Sequence, residues 1–214
     1  LKRKVKKHEQ VASKTVEDFI NVAEQEINRL DAIVKNFLSA VRTRELDMQP
    51  INLRVLLSDA IGFMRPEIES KGIKAELSFP ESLPALNGDP GQLTQAFFNI
   101  IKNAIQAMPD GGLLIIGCEV DDVFVNIKFS DTGKGLNEAE LSKLMDAFFT
   151  TKADGHGLGL LIVDRIIHAH GGELLIEGRP GQGADFTIKL PRHERIIRQL
   201  NSAPIKTEAK VTHH

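Results

Sequence analysis

From Val16 onward, apolar residues fall at Val16, Ile20, Ala23, Ile27, Leu30, Val34, Phe37 and Val41, in alternating steps of four and three. That spacing predicts a helix with a heptad seam, which buries its stripe against other helices. Ser13 stands where an N-cap would, Glu17 and Asp18 fall in the first turn, and Met48-Gln49-Pro50 ends the pattern. Phe19, Ile33 and Leu38 widen the stripe beyond what a two-stranded coil needs. A four-helix bundle built by two copies is therefore expected, against the plainer alternative of an amphipathic helix lying on its own domain.

Beyond Pro50 the periodicity switches between two and three to four. INLRVLLSDAIGFMRPEIESKG predicts a short strand entering a helix that stops at Gly72, and IKAELSF alternates as a strand does. PGQLTQAFFNIIKNAIQAM opens with proline at a helix start and runs to Met108, where Pro109-Asp110-Gly111-Gly112 signals a turn. LLIIGCEV and VFVNIKFSD, joined at Asp121-Asp122, predict an antiparallel pair. LGLLIVDRIIHAHGG predicts a helix closed by glycine, and ELLIEG and ADFTIKL a last hairpin around Pro180-Gly181. Helices mixed with mostly antiparallel strands imply an α+β fold, a two-layer α/β sandwich, preceded by the long bundle helix. The stretch after Arg192 is polar and weakly patterned, a tail.

Composition narrows the function classes. With 42% hydrophobic residues among 214, the chain is too apolar for disorder and long enough for one sizeable domain and something smaller. A formal charge of −2 with no massed positives gives no reason to expect nucleic acid. The single cysteine, Cys118, lies in the strand-like run LLIIGCEV and reads as buried, so thiol chemistry is not expected. No signal peptide pattern and no apolar run near membrane-span length is present, which gives a cytoplasmic expectation while leaving membrane anchoring of a parent protein open.

Three short stretches carry candidate chemistry. Asn99 and Asn103, four apart on the predicted helix ending at Met108, share one face; they could offer amide oxygens to a hard cation or be an ordinary solvated pair. Asp131-Thr132-Gly133-Lys134-Gly135 follows a strand, so its carboxylate could accept from an exocyclic amine, or the segment could be only a tight turn. Gly155, Gly157 and Gly159 precede a helix starting near Leu158, whose unpaired N–H groups and positive dipole end favour an anion, and Lys152 adds a charge. There is no GxxxxGK[ST] segment, and the glycine loop follows no strand, so neither a Walker cradle nor a Rossmann fingerprint applies.

In this order, NIIKNAIQAM resembles the N box, DTGKGL the first glycine box, FFTTK the phenylalanine box and GHGLGL the second glycine box of the histidine-kinase catalytic domain, a Bergerat-fold ATP-binding domain. The resemblance covers about Pro50 to Pro191, and EQEINRLDAIVKNFLSAVR resembles the second helix of that family's dimerization and phosphotransfer hairpin. It implies three regions: 1–48 a partial hairpin, 49–192 the ATP-binding catalytic domain, and 193–214 a tail. It implies ATP and Mg²⁺ as ligands, with Asn103 holding the metal and Asn99 assisting. Asp131 would accept from the adenine amine, Gly133 and Gly135 would let the base approach the backbone, Lys152 with Gly155, Gly157 and Gly159 would cover the phosphates, and Thr187 would support adenine. Phe148 and Phe149 would anchor the lid or serve as core. Implied partners are a response regulator and a second copy through the Val16–Val41 helix.

The family's acceptor histidine lies in a pattern like HExxNP, and here His8-Glu9 is followed by Ala12-Ser13 where that pattern would end. The expectation is that LKRKVKKHEQ is a basic hairpin end and that the acceptor is missing from this sequence, which would bind nucleotide without phosphorylating itself. Hydrolase, serine-kinase and non-binding adaptor readings compete. Hydrolysing and serine-phosphorylating relatives of the fold carry an acid where this chain has Asn99, and an amide is no general base. An adaptor with a dead site would have decayed boxes, and these are intact.

Overall fold

The computed structural model describes residues 45–146, 149 and 157–192, together with helical residues 19, 20, 22–24, 26 and 27. Along the chain run β1 (Gln49–Ile51), α1 (Leu53–Ser70), β2 (Ile73–Ser78), β3 (Leu86–Gly88), α2 (Pro90–Ala107), β4 (Gly112–Val120), β5 (Phe124–Asp131), α3 (Glu138–Lys143), α4 (Gly159–Ala169), β6 (Glu173–Gly178) and β7 (Ala184–Pro191). Five strands form one sheet in the order β2-β4-β5-β7-β6, and β1 pairs with β3 in a separate two-stranded ribbon. All pairings are antiparallel except β2 with β4, where α2 lies in the connection and allows a parallel return.

One face of the sheet is dry. Leu114 and Ile116 of β4, Val125, Ile127 and Phe129 of β5, and Phe186, Ile188 and Leu190 of β7 are buried at alternate positions. Against them pack α2, buried along Leu93, Ala96, Phe97, Ile100, Ile101, Ala104 and Ile105, and α4, buried along Ile162, Val163, Ile166 and Ile167. The Phe97 and Phe129 rings meet with centroids 5.8 Å apart and tie helix to sheet. α1 adds Leu57, Ala60, Ile61, Met64 and Ile68 to the same cluster. The opposite face carries Ile115, Lys128, Thr187 and Leu175 and is open. The expected two-layer α/β sandwich is what forms. Two elements, β3 and α3, had no periodicity long enough to announce them.

Most of the segment expected to form the long upstream helix lies outside the described residues. Where it is described, Phe19, Ile20, Val22 and Ile27 are helical and exposed, so this apolar stripe finds no cover within the described chain.

Candidate functional site

α2 is positioned by both of its ends. Asp89 caps it, accepting the Gln92 N–H on Oδ1 at 3.0 Å, and Pro90 supplies the fixed φ of a first helical residue. The helix rotates its apolar face into the core, which leaves Asn99 and Asn103 half-buried one turn apart on the adjacent stripe, as their spacing predicted.

The loop after β5 sits against the other end of α2. Asp131 is 6% exposed, and its Oδ1 accepts the Gly133 N–H at 2.8 Å. The Lys134 N–H donates to the Ala107 carbonyl at 3.1 Å, and the Gly181 N–H donates to the Lys134 carbonyl at 2.7 Å. A Cβ on Gly133 would stand 2.6 Å from the Ala107 oxygen, and one on Gly135, at φ +70°, would collide with the Arg179 oxygen. The close approach these glycines grant is thus to the protein's own backbone. They clamp the Asp131 loop between the end of α2 and the β6–β7 turn.

The third wall is the start of α4. Asn52, Asp89 and Asn137 cap α1, α2 and α3 with their side chains, whereas Leu158 at the head of α4 offers no side-chain acceptor. The N-cap side chain thus leaves the first N–H groups of α4 unserved, the arrangement in which a helix head can receive an anion, and Gly157 before them holds φ +64°. A Cβ on Gly159 would lie 3.9 Å from the Asn99 Oδ1, so the head of α4 abuts the polar stripe of α2. Among the described residues no group of three His, Cys, Asp or Glu side chains is placed to hold a metal ion. A hard cation here would depend on amide oxygens and on oxygens brought by its ligand, a donor set Mg²⁺ accepts.

Asn99, Asn103, Asp131, Gly133, Gly135, Gly157 and Gly159 thus belong to three elements that converge on one end of the helix layer. Lys152, Gly155 and Phe148 lie outside the described residues; Phe149 is half-buried, its N–H donating to the Asp146 carbonyl at 3.2 Å. Thr187 does not join them. It alternates with buried Phe186 and Ile188 and pairs with Lys128 and Leu175, so its side chain is on the open face, whereas Asp131 is buried on the helix-covered side. The β7 residue beside Asp131 is Ala184. Hairpin register decides this, and a one-residue slip reverses every side chain. Gly183 was also overlooked: it backs Asp131, and only its φ of +79° and its contact reveal it.

A two-layer sandwich whose helix layer carries a polar stripe beside a strand-end carboxylate is the α+β fold of histidine kinase catalytic domains. The chain belongs to the family described as histidine kinase-, DNA gyrase B-, and HSP90-like ATPase, whose model matches residues 88–194. It is 33% identical over 184 residues to sporulation kinase E of Bacillus subtilis, covering 86% of this chain and 25% of that protein. It is 32% identical over 170 residues to sensor histidine kinase ZraS of Escherichia coli, covering 79% of this chain and 37% of that protein. The chain thus spans well under half the length of these curated relatives. Among solved structures, full-length ShkA in complex with AMPPNP superposes with a TM-score of 0.72 at 28% identity, over 82% of this chain and 38% of that one. Histidine kinase ThkA in complex with response regulator protein TrrA gives 0.71 at 27%, over 85% and 52%.

Proposed function

We propose that residues 49–192 are the catalytic domain of a two-component sensor histidine kinase, that 1–48 belong to its dimerization and phosphotransfer hairpin, and that 193–214 are a tail. The observation that carries this is the convergence of the Asn99–Asn103 stripe, the Asp131 loop and the uncapped head of α4. Asp131 would accept from the exocyclic amine of adenine, in a pocket whose shape Gly133 and Gly135 maintain. The N–H groups at Gly157 and Gly159 would draw in the phosphates, with Lys152 and Gly155 covering them. Asn103, assisted by Asn99, is assigned to Mg²⁺, which when bound would neutralise phosphate charge.

Catalysis in this reading is positioning and charge stabilisation. An acceptor imidazole attacks the γ-phosphorus, the bond to the β,γ-bridging oxygen breaks and ADP leaves; the phosphoryl group then passes to a response-regulator aspartate. None of the described histidines suits the acceptor role: His168 pairs with Asp164 at 3.3 Å near the far end of α4, and His170 is buried. A water-activating ATPase is disfavoured because Asn99 stands where a base is needed, and an amide takes up no proton. The exposed Phe19, Ile20 and Ile27 support a homodimer through the Val16–Val41 helix. Among the described residues no helix is long and apolar enough to cross a membrane, which fits a domain working in the cytoplasm.

Titration calorimetry with Mg²⁺ and a non-hydrolysable ATP analogue tests the reading. Saturable binding is expected; no heat of association would overturn it. Phosphoryl transfer from ATP to an added hairpin carrying the acceptor tests the kinase step.

A further inference from the structure

Only three polar or charged residues are buried among the described residues: Asp131 in the site, and Asp89 and His170, which touch each other. His170 is the C-cap of α4, and both ring nitrogens are committed. Nδ1 lies 2.7 Å from the Ile166 carbonyl, which can only accept, so Nδ1 carries the hydrogen; Nε2 lies 2.9 Å from the Asp89 backbone nitrogen and accepts its N–H. The ring is thereby fixed as the neutral Nδ1–H tautomer, spanning from the last turn of α4 to the cap of α2. Gly88 makes room for it, since a Cβ there would stand 3.3 Å from the His170 Cδ2 and 2.7 Å from the Leu93 Cδ1.

The pin has a counterpart at the other end of the same helix pair. α2 and α4 run antiparallel: from Asp89 to Asn99 is ten residues along one, from His170 to Gly159 eleven along the other, and Asn99 abuts Gly159. At 1.5 Å per residue, the pin therefore sits about 15 Å from the place where the head of α4 meets the polar stripe of α2. A helix held at one end by a two-sided hydrogen-bonded ring has its axial position set for its whole length. Without that ring, α4 could slide against apolar contacts that tolerate small displacements. The phosphate-facing amides would then lose their register with Asn99, while the Asp131 loop, clamped by Ala107 and Arg179, would stay in place.

We infer that His170 is a positioning residue for the triphosphate half of the nucleotide site, acting through the Asp89 amide to set the register of α4 against α2. The inference rests on the nucleotide-binding reading above. It differs from a merely space-filling buried histidine in predicting a selective loss, confined to ligands that carry phosphates.

The test compares the ATP analogue AMPPNP with Mg²⁺, by calorimetry, and adenosine, by NMR shift titration, in the wild-type chain, His170→Phe, His170→Gln and His168→Ala. His170→Phe, which removes both ring hydrogen bonds, is expected to weaken AMPPNP about tenfold while adenosine changes by less than about twofold. His170→Gln, whose amide can both accept and donate, should recover most of the difference, and His168→Ala should match the wild type. The wild-type ¹⁵N spectrum should show Nδ1 protonated and Nε2 unprotonated, a readout that needs no variant to fold. Equal loss of both ligands, unchanged AMPPNP affinity in His170→Phe, or an Nε2–H tautomer would each overturn the inference. A wild-type chain that binds neither ligand would instead sink the nucleotide-binding reading itself.

Discussion

The peptide oxygen of Asp131 occupies the space that a side chain on Gly183 would need, so the β6–β7 turn and the site carboxylate are held together through a glycine. Gly183 has φ +79°, a conformation that costs a residue with a Cβ about 1–3 kcal/mol before any collision is counted. Gly183→Ala is expected to destabilise the fold by at least about 2 kcal/mol in urea unfolding at neutral pH. A change below about 0.5 kcal/mol would mean that the turn moves freely and does not brace Asp131.

Asp131→Asn should leave the fold nearly intact, because the new amide oxygen can still accept the Gly133 N–H. Its NH₂ group would confront an adenine amine with a second donor. Affinity for AMPPNP is expected to fall about 10- to 100-fold, the cost of an unmade charge-assisted hydrogen bond in a buried site. Unchanged affinity in calorimetry would remove Asp131 from the base-recognition role.

Asn103→Ala addresses the metal. With Mg²⁺ present, AMPPNP affinity should drop about tenfold or more; with the metal chelated, wild type and variant should converge. A loss of equal size in both conditions would show that Asn103 touches nucleotide or lid without holding a cation.

Acid should loosen the cap of α2. Burial pushes the Asp89 carboxyl up, but the N–H groups of Gln92, Asp47 and Gly91 and the Gln92 side chain outweigh it, and the net value lies below the ordinary 3.8. A folded value depressed in this way means that the carboxylate stabilises the fold fully above the unfolded value, and that the contribution is lost as pH falls through the lower, folded value. Urea midpoints should therefore decline below about pH 4. Asp89→Asn should flatten part of that decline. Asp185, whose carboxyl is raised by burial but lowered more by Lys128 at 2.8 Å and by Ser130, should account for a further part. An unaltered slope in Asp89→Asn would contradict the assignment.

Burial pushes the Cys118 thiol up to about 12, the nearby Arg54 charge offsetting only a little of it. The folded protein should show essentially no reaction with a thiol reagent at pH 8, and one equivalent after denaturation. Fast labelling of the native chain would mean that β4 opens.

The sequence made legible whatever rested on long periods. The apolar stripes of α1, α2 and α4, the alternation of β4, β5 and β7, and the Asn99–Asn103 face all emerged where predicted, because burial on one side writes itself at fixed intervals. β3, three residues long, and α3, six, leave too little pattern, and α3 is announced only by the capping exchange between Asn137 and Glu140. Thr187 went wrong because its strand was placed correctly while the face depended on register with β5. The burial of His170 against Asp89 depends on how α4 lies across α2, which no local spacing encodes.

The five-stranded sheet has β2 as its edge strand on one side and β6 on the other, with no further strand paired to either among the described residues. Lys74 and Glu76 stand on the first rim, paired at 2.6 Å, and Glu173 and Glu177 on the second. A foreign strand seeking to extend the sheet would have to strip water from these ions at either border. The ionised borders thus act as gatekeepers against cross-β growth and disfavour fibrillar self-association of the concentrated protein.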